Sequence, residues 1–304
     1  MRIFLDNVNT DSSSGPNGFA KKVSSEFSKN HEVYTSVHQL MNSYKKPDVQ
    51  LSFISTQYNI SPIVQRLDGI YFNSEQDFNR LNSPIEETYN MASSVIFQSE
   101  FNKRLTQNFF SVRDRCHVIH NGTCLDIIEN IESMKNENID RFNKIWSCAS
   151  SWRPHKRLDE NIRYFLENSS SDDCLIIAGE NPDHLVKNDR IFYCGNISWI
   201  ELISLFKRSD NFIHLAWLDH CPNVVVDARA SGCHIVCSSA GGTKEIAGSN
   251  STIIVEEEWD LSPVELYRPP RMDFSKRERG SHNSEIDIQK VSEEYIRVLE
   301  SVIE

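Results

Sequence analysis

Two aspartates stand eight positions apart in the stretch DHCPNVVVDARASG, residues 219–232. Asp219 precedes a Cys-Pro-Asn turn. Asp227 falls in the second turn of the helix that the pattern predicts from Val224, with Asn223 as its N-cap and Gly232 as its stop. Carboxylates accept hydrogen bonds from hydroxyl groups, whereas the N–H groups at a helix start attract an anion such as phosphate. The combination suits a ligand that carries both a diphosphate and sugar rings. Each aspartate alone is equally explained by the helix dipole, which needs no ligand. Upstream, SSWRPHKRL (150–158) sets Arg153, His155, Lys156 and Arg157 together in an otherwise acidic chain. That is a cationic spot suited to a diphosphate, or else a solvated charge cluster. Downstream, SSAGGTKEIAG (238–248) places Gly241 beside Gly242, which permits close backbone approach to a ligand or simply makes a turn.

The elements that must hold these groups alternate between strand and helix. RIFLD (2–6) reads as a strand, SSSGPNGF (12–19) as a glycine-containing loop, and residues 20–30 as the helix after it. VQLSFIS (49–55), SVIFQS (94–99) and HVIHNG (117–122) are further strands of this half. A second series follows, with strands in KIWSCASS (144–151), CLIIAGE (174–180), RIFYCG (190–195), NFIHLAWL (211–218) and CHIVCSS (233–239). Helices are predicted over 157–169 and 198–209. Strands rich in Ile, Val, Phe and Leu fit parallel sheets covered on both faces. The chain therefore predicts two doubly wound α/β halves. Residues 124–143 are read as the crossing between domains 1–123 and 144–284, and 268–285 as an exposed loop. Residues 285–304 contain an amphipathic helix with Ile288, Val291, Tyr295, Val298 and Val302 on one face.

The bulk numbers agree with that size. The chain has 304 residues, 39% hydrophobic and 25% charged, with a net charge of −11. Such an acidic chain repels phosphate backbones, so nucleic acid is not an expected partner. Eight cysteines include no C-x-x-C pair and several lie in apolar runs, which points to free thiols in a reducing, cytoplasmic compartment. MRIFLDNVNT reads as a first strand rather than a signal peptide. No apolar run approaches the ~18 residues of a membrane span. The stretch SEFNKRLTQNFFSVRDR (99–115) mixes aromatic and basic residues. It reads as a core-facing helix with a solvated basic face rather than a membrane-docking one.

Taken together, Asp219, HCPNVVV, Asp227, ARASG and GGTKE resemble the signature of the retaining glycosyltransferases of family 4, in which both acidic positions are usually Glu. HNGT (120–123) is similar to the turn that closes that family's N-terminal domain, and SGPNGF resembles its first glycine loop. The resemblance covers residues 114–250 well and 1–110 loosely. It implies the GT-B fold, two Rossmann-like parallel-sheet domains facing a cleft, with the terminal helix returning to the N-terminal domain. By the same resemblance Asp219 faces the donor sugar's hydroxyls and Asp227 the ribose. Lys156 neutralises the diphosphate. The turn of Pro222, Asn223 and Val224 touches sugar or phosphate with its backbone, as do Gly241 and Gly242. Gly15 and Gly18 let the first loop approach the diphosphate, and Asn196 and Ile197 lie near the base. The family's arginine, five or six residues before the lysine, is replaced here by Ser151 and Ser150, with Arg153 as its substitute. Asp68, in QRLDG (65–69), stands in for the family's N-terminal-domain histidine. The short first half is similar to compact members of the kind large viruses encode.

The expected activity is transfer of a hexose, with retention, from a nucleoside-diphosphate sugar of the GDP-mannose or UDP-glucose type to a glycan or other hydroxyl acceptor. No Asp-x-Asp occurs, so no metal ligands and no cofactor are assigned. Binding of a sugar nucleotide without turnover is the alternative. A nicotinamide-dependent oxidoreductase is disfavoured by the lack of G-x-G-x-x-G.

Overall fold

A computed structural model describes all residues except 13, 181, 183, 184 and 304. Residues 13 and 304, which belong to the predicted glycine loop and terminal helix, thus lie outside the described residues. The chain divides into two compact units, Met1–Cys124 with Glu285–Glu304, and Leu125–Ser284.

In the first unit the order is β1 (Arg2–Asp6), α1 (Gly15–Phe27), β2 (Glu32–Tyr34), α2 (Val37–Ser43), β3 (Val49–Phe53), β4 (Ile63–Leu67), α3 (Phe78–Met91), β5 (Ser94–Phe97), α4 (Glu100–Phe109) and β6 (Cys116–Val118). The six strands are parallel in the order β2-β1-β3-β4-β5-β6. The second unit runs α5 (Leu125–Asn130), α6 (Glu137–Asp140), β7 (Ile145–Ala149), α7 (Leu158–Asn168), β8 (Cys174–Ala178), β9 (Ile191–Gly195), α8 (Trp199–Arg208), β10 (Asn211–His214), α9 (Asn223–Ala230), β11 (His234–Ser238), α10 (Thr243–Ile246), β12 (Thr252–Ile254) and β13 (Arg277–Arg279). Its sheet order is β13-β12-β11-β10-β7-β8-β9, parallel except for the β12–β13 pair. The chain therefore reverses direction across the second sheet between β7 and β10. That is the switch point outside which open α/β sheets bind ligands, at the carboxyl ends of the strands.

Two doubly wound parallel sheets confirm the predicted class, and several elements correct its details. The first helix begins at Gly15, not after the glycine stretch, because Pro16 in the first turn pre-sets φ and lacks only an N–H that has no helical partner. Gly15 and Gly18 thus lie in the first turn of α1 rather than in a loop. A Cβ on Gly18 would meet nothing within 4 Å, so close packing does not account for that glycine. β4 was hidden by Gln65 and Arg66, two polar residues in a strand buried along its whole length. β10 stops at His214, and residues 215–218 form the turn that follows, ending on Leu218 at φ 55°. α4 buries Asn102, Leu105 and Thr106, and Phe109 packs edge-on against Phe78, so the basic–aromatic stretch is a core-facing helix. Among the described residues no helix is long and apolar enough to cross a membrane.

The last helix, α11 (Ile288–Glu300), completes the core of the first unit. Asp287 caps it by accepting from the Gln289 amide, and Ile288, Val291, Tyr295, Val298 and Leu299 are buried. Tyr295 packs against Phe19 of α1, with ring centroids 5.8 Å apart. The returning chain is pinned by Thr123, whose N–H donates to the Ile286 carbonyl and whose carbonyl accepts from Ile288. Gly122 allows this approach, since a Cβ there would stand 3.0 Å from the Ile288 Cα.

Candidate active site

Because β7 and β10 are neighbours, the loops leaving their carboxyl ends emerge side by side. After β7 the chain makes a single 3₁₀ turn, Pro154–Lys156, and passes through Arg157 in the left-handed region at φ 53°. Arg157 is 3% exposed and forms a fork with Glu256, at 2.9 and 2.7 Å, while also donating to the Pro270 carbonyl. Asn161 donates to the Lys156 carbonyl and accepts from the Leu215 amide just past β10. The Trp217 amide donates to the His155 carbonyl at 2.7 Å. The lysine loop and the aspartate turn are therefore cross-tied by buried polar bonds, which fix the reach of the side chains they carry.

The result is a direct pair. Lys156 Nζ donates to Asp219 Oδ2 at 2.6 Å, and the side chains are 20% and 14% exposed. His214 Nε2 lies 2.9 Å from the same oxygen, and the His220 amide donates to Oδ1 at 3.1 Å. Burial works to raise the Asp219 carboxyl, but Lys156 and His214 outweigh it and hold it well below the usual carboxylate range. Burial pushes His214 down despite the pull of Asp219. The same cause takes His155 down to about 3 and His220 down to about 4. The histidines around the pair are thus neutral at pH 7.

Gly241 and Gly242 pack against the backbone of Asp219. Gly241 has φ 95°, and a Cβ there would stand 2.5 Å from the Asp219 carbonyl oxygen. The Gly242 amide donates to that carbonyl at 2.7 Å. The close approach read from the double glycine is therefore to the backbone of Asp219. The helix after it also begins earlier than predicted: Pro222 is the N-cap of α9, and Asn223 and Val224 occupy its first turn. A proline with φ near −68° at this point leads the chain into the helix without a side-chain cap.

Asp227 is 3% exposed and accepts from the indole Nε1 of Trp199 at 3.0 Å. That contact brings the second carboxylate to the start of α8, two residues beyond Ile197. Asn196 lies just ahead and donates to Glu180 at 2.9 Å. Arg153 stands at the entry to the 3₁₀ turn with its side chain exposed. The structure thus gathers Lys156, Asp219, Gly241 and Gly242, ties Asp227 to the Asn196–Ile197 segment through Trp199, and leaves Arg153 outside these contacts.

Gly15, Gly18 and Asp68 belong to the first unit. Asp68 follows β4 and pairs with Arg66, which is wholly buried. Arg66 also donates to Tyr295 Oη at 3.0 Å and to Asn121 Oδ1 at 2.6 Å, and its guanidinium lies 4.2 Å from the Phe19 ring centre. Burial raises the Asp68 carboxyl against the pull of Arg66.

His214, Trp199, the Arg157–Glu256 fork and Arg66 escaped the reading of motifs. For His214 and Arg66 the signal in the sequence is a polar or charged residue inside an apolar run, as in NFIHLAWL and IVQRL. Such a residue implies a buried partner without saying which one.

Comparison with known proteins follows the same lines. Residues 130–262 match the family described as glycosyl transferases group 1. No curated protein sequence matches the chain. Over 99% of its length the chain superposes on HepE from Anabaena, solved in complex with UDP and glucose, with a TM-score of 0.67, 15% identity and all of that chain covered. Sucrose-phosphate synthase from Thermosynechococcus elongatus gives 0.66 at 10% identity, covering 100% of this chain and 96% of that one. WaaG, a glycosyltransferase involved in lipopolysaccharide biosynthesis, gives 0.59 at 11% identity, covering 100% and 92%. At these identities the likeness establishes the GT-B fold.

Proposed function

We propose that this chain, a glycosyltransferase by its group 1 domain, moves a hexose from a nucleoside-diphosphate sugar to a hydroxyl of a glycan or similar acceptor, with retention at the anomeric carbon. The observation that carries this reading is the Lys156–Asp219 pair at the switch point of the second sheet. It offers a cation for a diphosphate and a carboxylate for sugar hydroxyls at one place. Lys156 and the N-terminal turn of α9 would stabilise the charge that develops on the leaving diphosphate. The bond from the anomeric carbon to the phosphate oxygen breaks with its electron pair on the phosphate. The acceptor oxygen forms the new bond and gives its proton to the departing diphosphate, whose oxygen carries the freed electron pair. Asp219 accepts from the sugar's hydroxyls, and Asp227, held by Trp199, accepts from the ribose. Asn196 and Ile197 border the base. UDP-glucose and GDP-mannose are the donor types to try first, and HepE was solved with UDP and glucose.

Because the protein supplies its own cation, we propose that donor binding needs no metal. The sequence contains no Asp-x-Asp. Calorimetric titration with UDP, GDP and their hexose conjugates, with and without EDTA, tests both points. The expected outcome is binding that survives EDTA, and release of nucleoside diphosphate when a donor is supplied. An obligatory divalent ion overturns metal independence. Tight binding with no hexose transfer or donor hydrolysis replaces the enzyme reading by binding alone.

A further inference from the structure

We infer that His214 is a positioning residue that holds the Asp219 carboxylate in place while Lys156 changes partners. The inference rests on the reading of Asp219 as the carboxylate facing the donor sugar. His214 ends β10, a strand whose neighbours Phe212, Ile213, Leu215 and Ala216 are all fully buried. An imidazole in such a place needs a hydrogen-bond partner, and among the described residues it has Asp219 Oδ2, 2.9 Å from Nε2. The ring lies nearly parallel to that of Phe212, tilted by 13° with centroids 6.3 Å apart, which fixes its plane. Lys156 reaches the same oxygen from the other loop. An incoming diphosphate competes for the lysine, since it carries more negative charge than one carboxylate. His214 is rooted in the strand and has no such choice. It keeps a donor on Oδ2 after the lysine has turned away.

The charged and titratable groups that face the ring are Asp219, Lys156 and His155. Burial keeps the ring neutral at pH 7, so the proton it carries must sit on Nε2 to serve the carboxylate.

Three measurements test the assignment. In wild-type protein, ¹⁵N–¹H correlation of the ring should show the Nε2–H tautomer for His214; the Nδ1–H tautomer would overturn the inference. His214→Phe keeps a ring against Phe212 but has no donor. Its affinity for the bare nucleoside diphosphate should fall several-fold, because Lys156 must then leave a carboxylate oxygen that has no other side-chain donor. Turnover of the intact donor should fall about ten- to hundredfold, the change that loss of one hydrogen bond to a charged group produces. His214→Gln, which restores an N–H donor, should recover most of that loss. Full turnover in His214→Phe, or unchanged affinity for the diphosphate, refutes the role. So does a folded His214→Gln no better than His214→Phe. Should His214→Phe fail to fold, the tautomer and the Gln variant still decide. If wild-type protein binds no sugar nucleotide, it is the underlying functional reading that fails.

Discussion

Neutralising Asp219 should tighten, not weaken, the binding of a bare nucleoside diphosphate. Lys156 donates to Asp219 at 2.6 Å in a site where the two side chains are 20% and 14% exposed. Any diphosphate that uses this lysine must first separate it from the carboxylate. A hydrogen bond between charged groups is worth about 1.5–3 kcal/mol net. Asp219→Asn leaves a weaker amide contact to the lysine, so about 1–2 kcal/mol of the pair is removed from what the ligand must overcome. That converts to roughly five- to thirtyfold tighter binding of UDP or GDP, whichever the wild type takes. The same change leaves a partly buried lysine without its counter-charge. Thermal stability without ligand should therefore fall, while the gain in melting temperature on adding nucleotide grows. Hexose transfer should drop, because the carboxylate proposed to face the donor sugar is gone. Asp219→Glu, which keeps the charge, serves as the control and should not tighten. Isothermal titration of the three proteins with the nucleoside diphosphate reads the effect directly. Unchanged or weaker diphosphate binding by a folded Asp219→Asn protein would refute the competition between carboxylate and diphosphate for Lys156.

Two further outcomes are expected. Burial lowers His155 to about 3 and His220 to about 4, so both are neutral in the folded chain and take up protons when it unfolds in mild acid. Their folded values lie below the unfolded ~6.5, so the stability involved is present above that pH and is lost as pH falls toward 4. Denaturation midpoints should decline across this window with a slope of at least about two protons, since burial lowers His214 as well, and a flat profile between pH ~6.5 and ~4.5 would count against the burial of these rings. In the first unit, Arg66→Met strands the Asp68 carboxylate and breaks the bonds to Tyr295 and Asn121, at an expected cost of about 3–5 kcal/mol. Adding Asp68→Asn should recover part of it. A loss under about 1 kcal/mol in urea titration would show that Arg66 is not the tie between β4 and α11.

The class of the fold was legible because its signal is local. Apolar runs such as CLIIA, and helices with apolar residues at helical spacing, announce parallel strands and their crossovers without reference to distant parts of the chain. The same local rules misplaced elements where a residue had two uses. Pro16 and its flanking glycines look like a loop and open a helix. Gln65 and Arg66 look like surface and lie in a buried strand.

For the candidate site, residue types and spacing in the sequence singled out Asp219, Asp227, Lys156 and the double glycine. What they touch was decided by strand order. Lys156 and Asp219 are 63 residues apart, and they meet because β10 returns to lie beside β7 after two strands have been laid on the other side. No periodicity within either segment encodes that return. Gly241 could be recognised as a residue that lets something come close, but not that the something is the Asp219 backbone. His214 and Trp199 are in the same position. The sequence shows a buried-type run interrupted by an imidazole, and an indole at a helix start. Only the packed sheet supplies the carboxylates, because a buried polar group takes whichever partner the fold brings within hydrogen-bond reach.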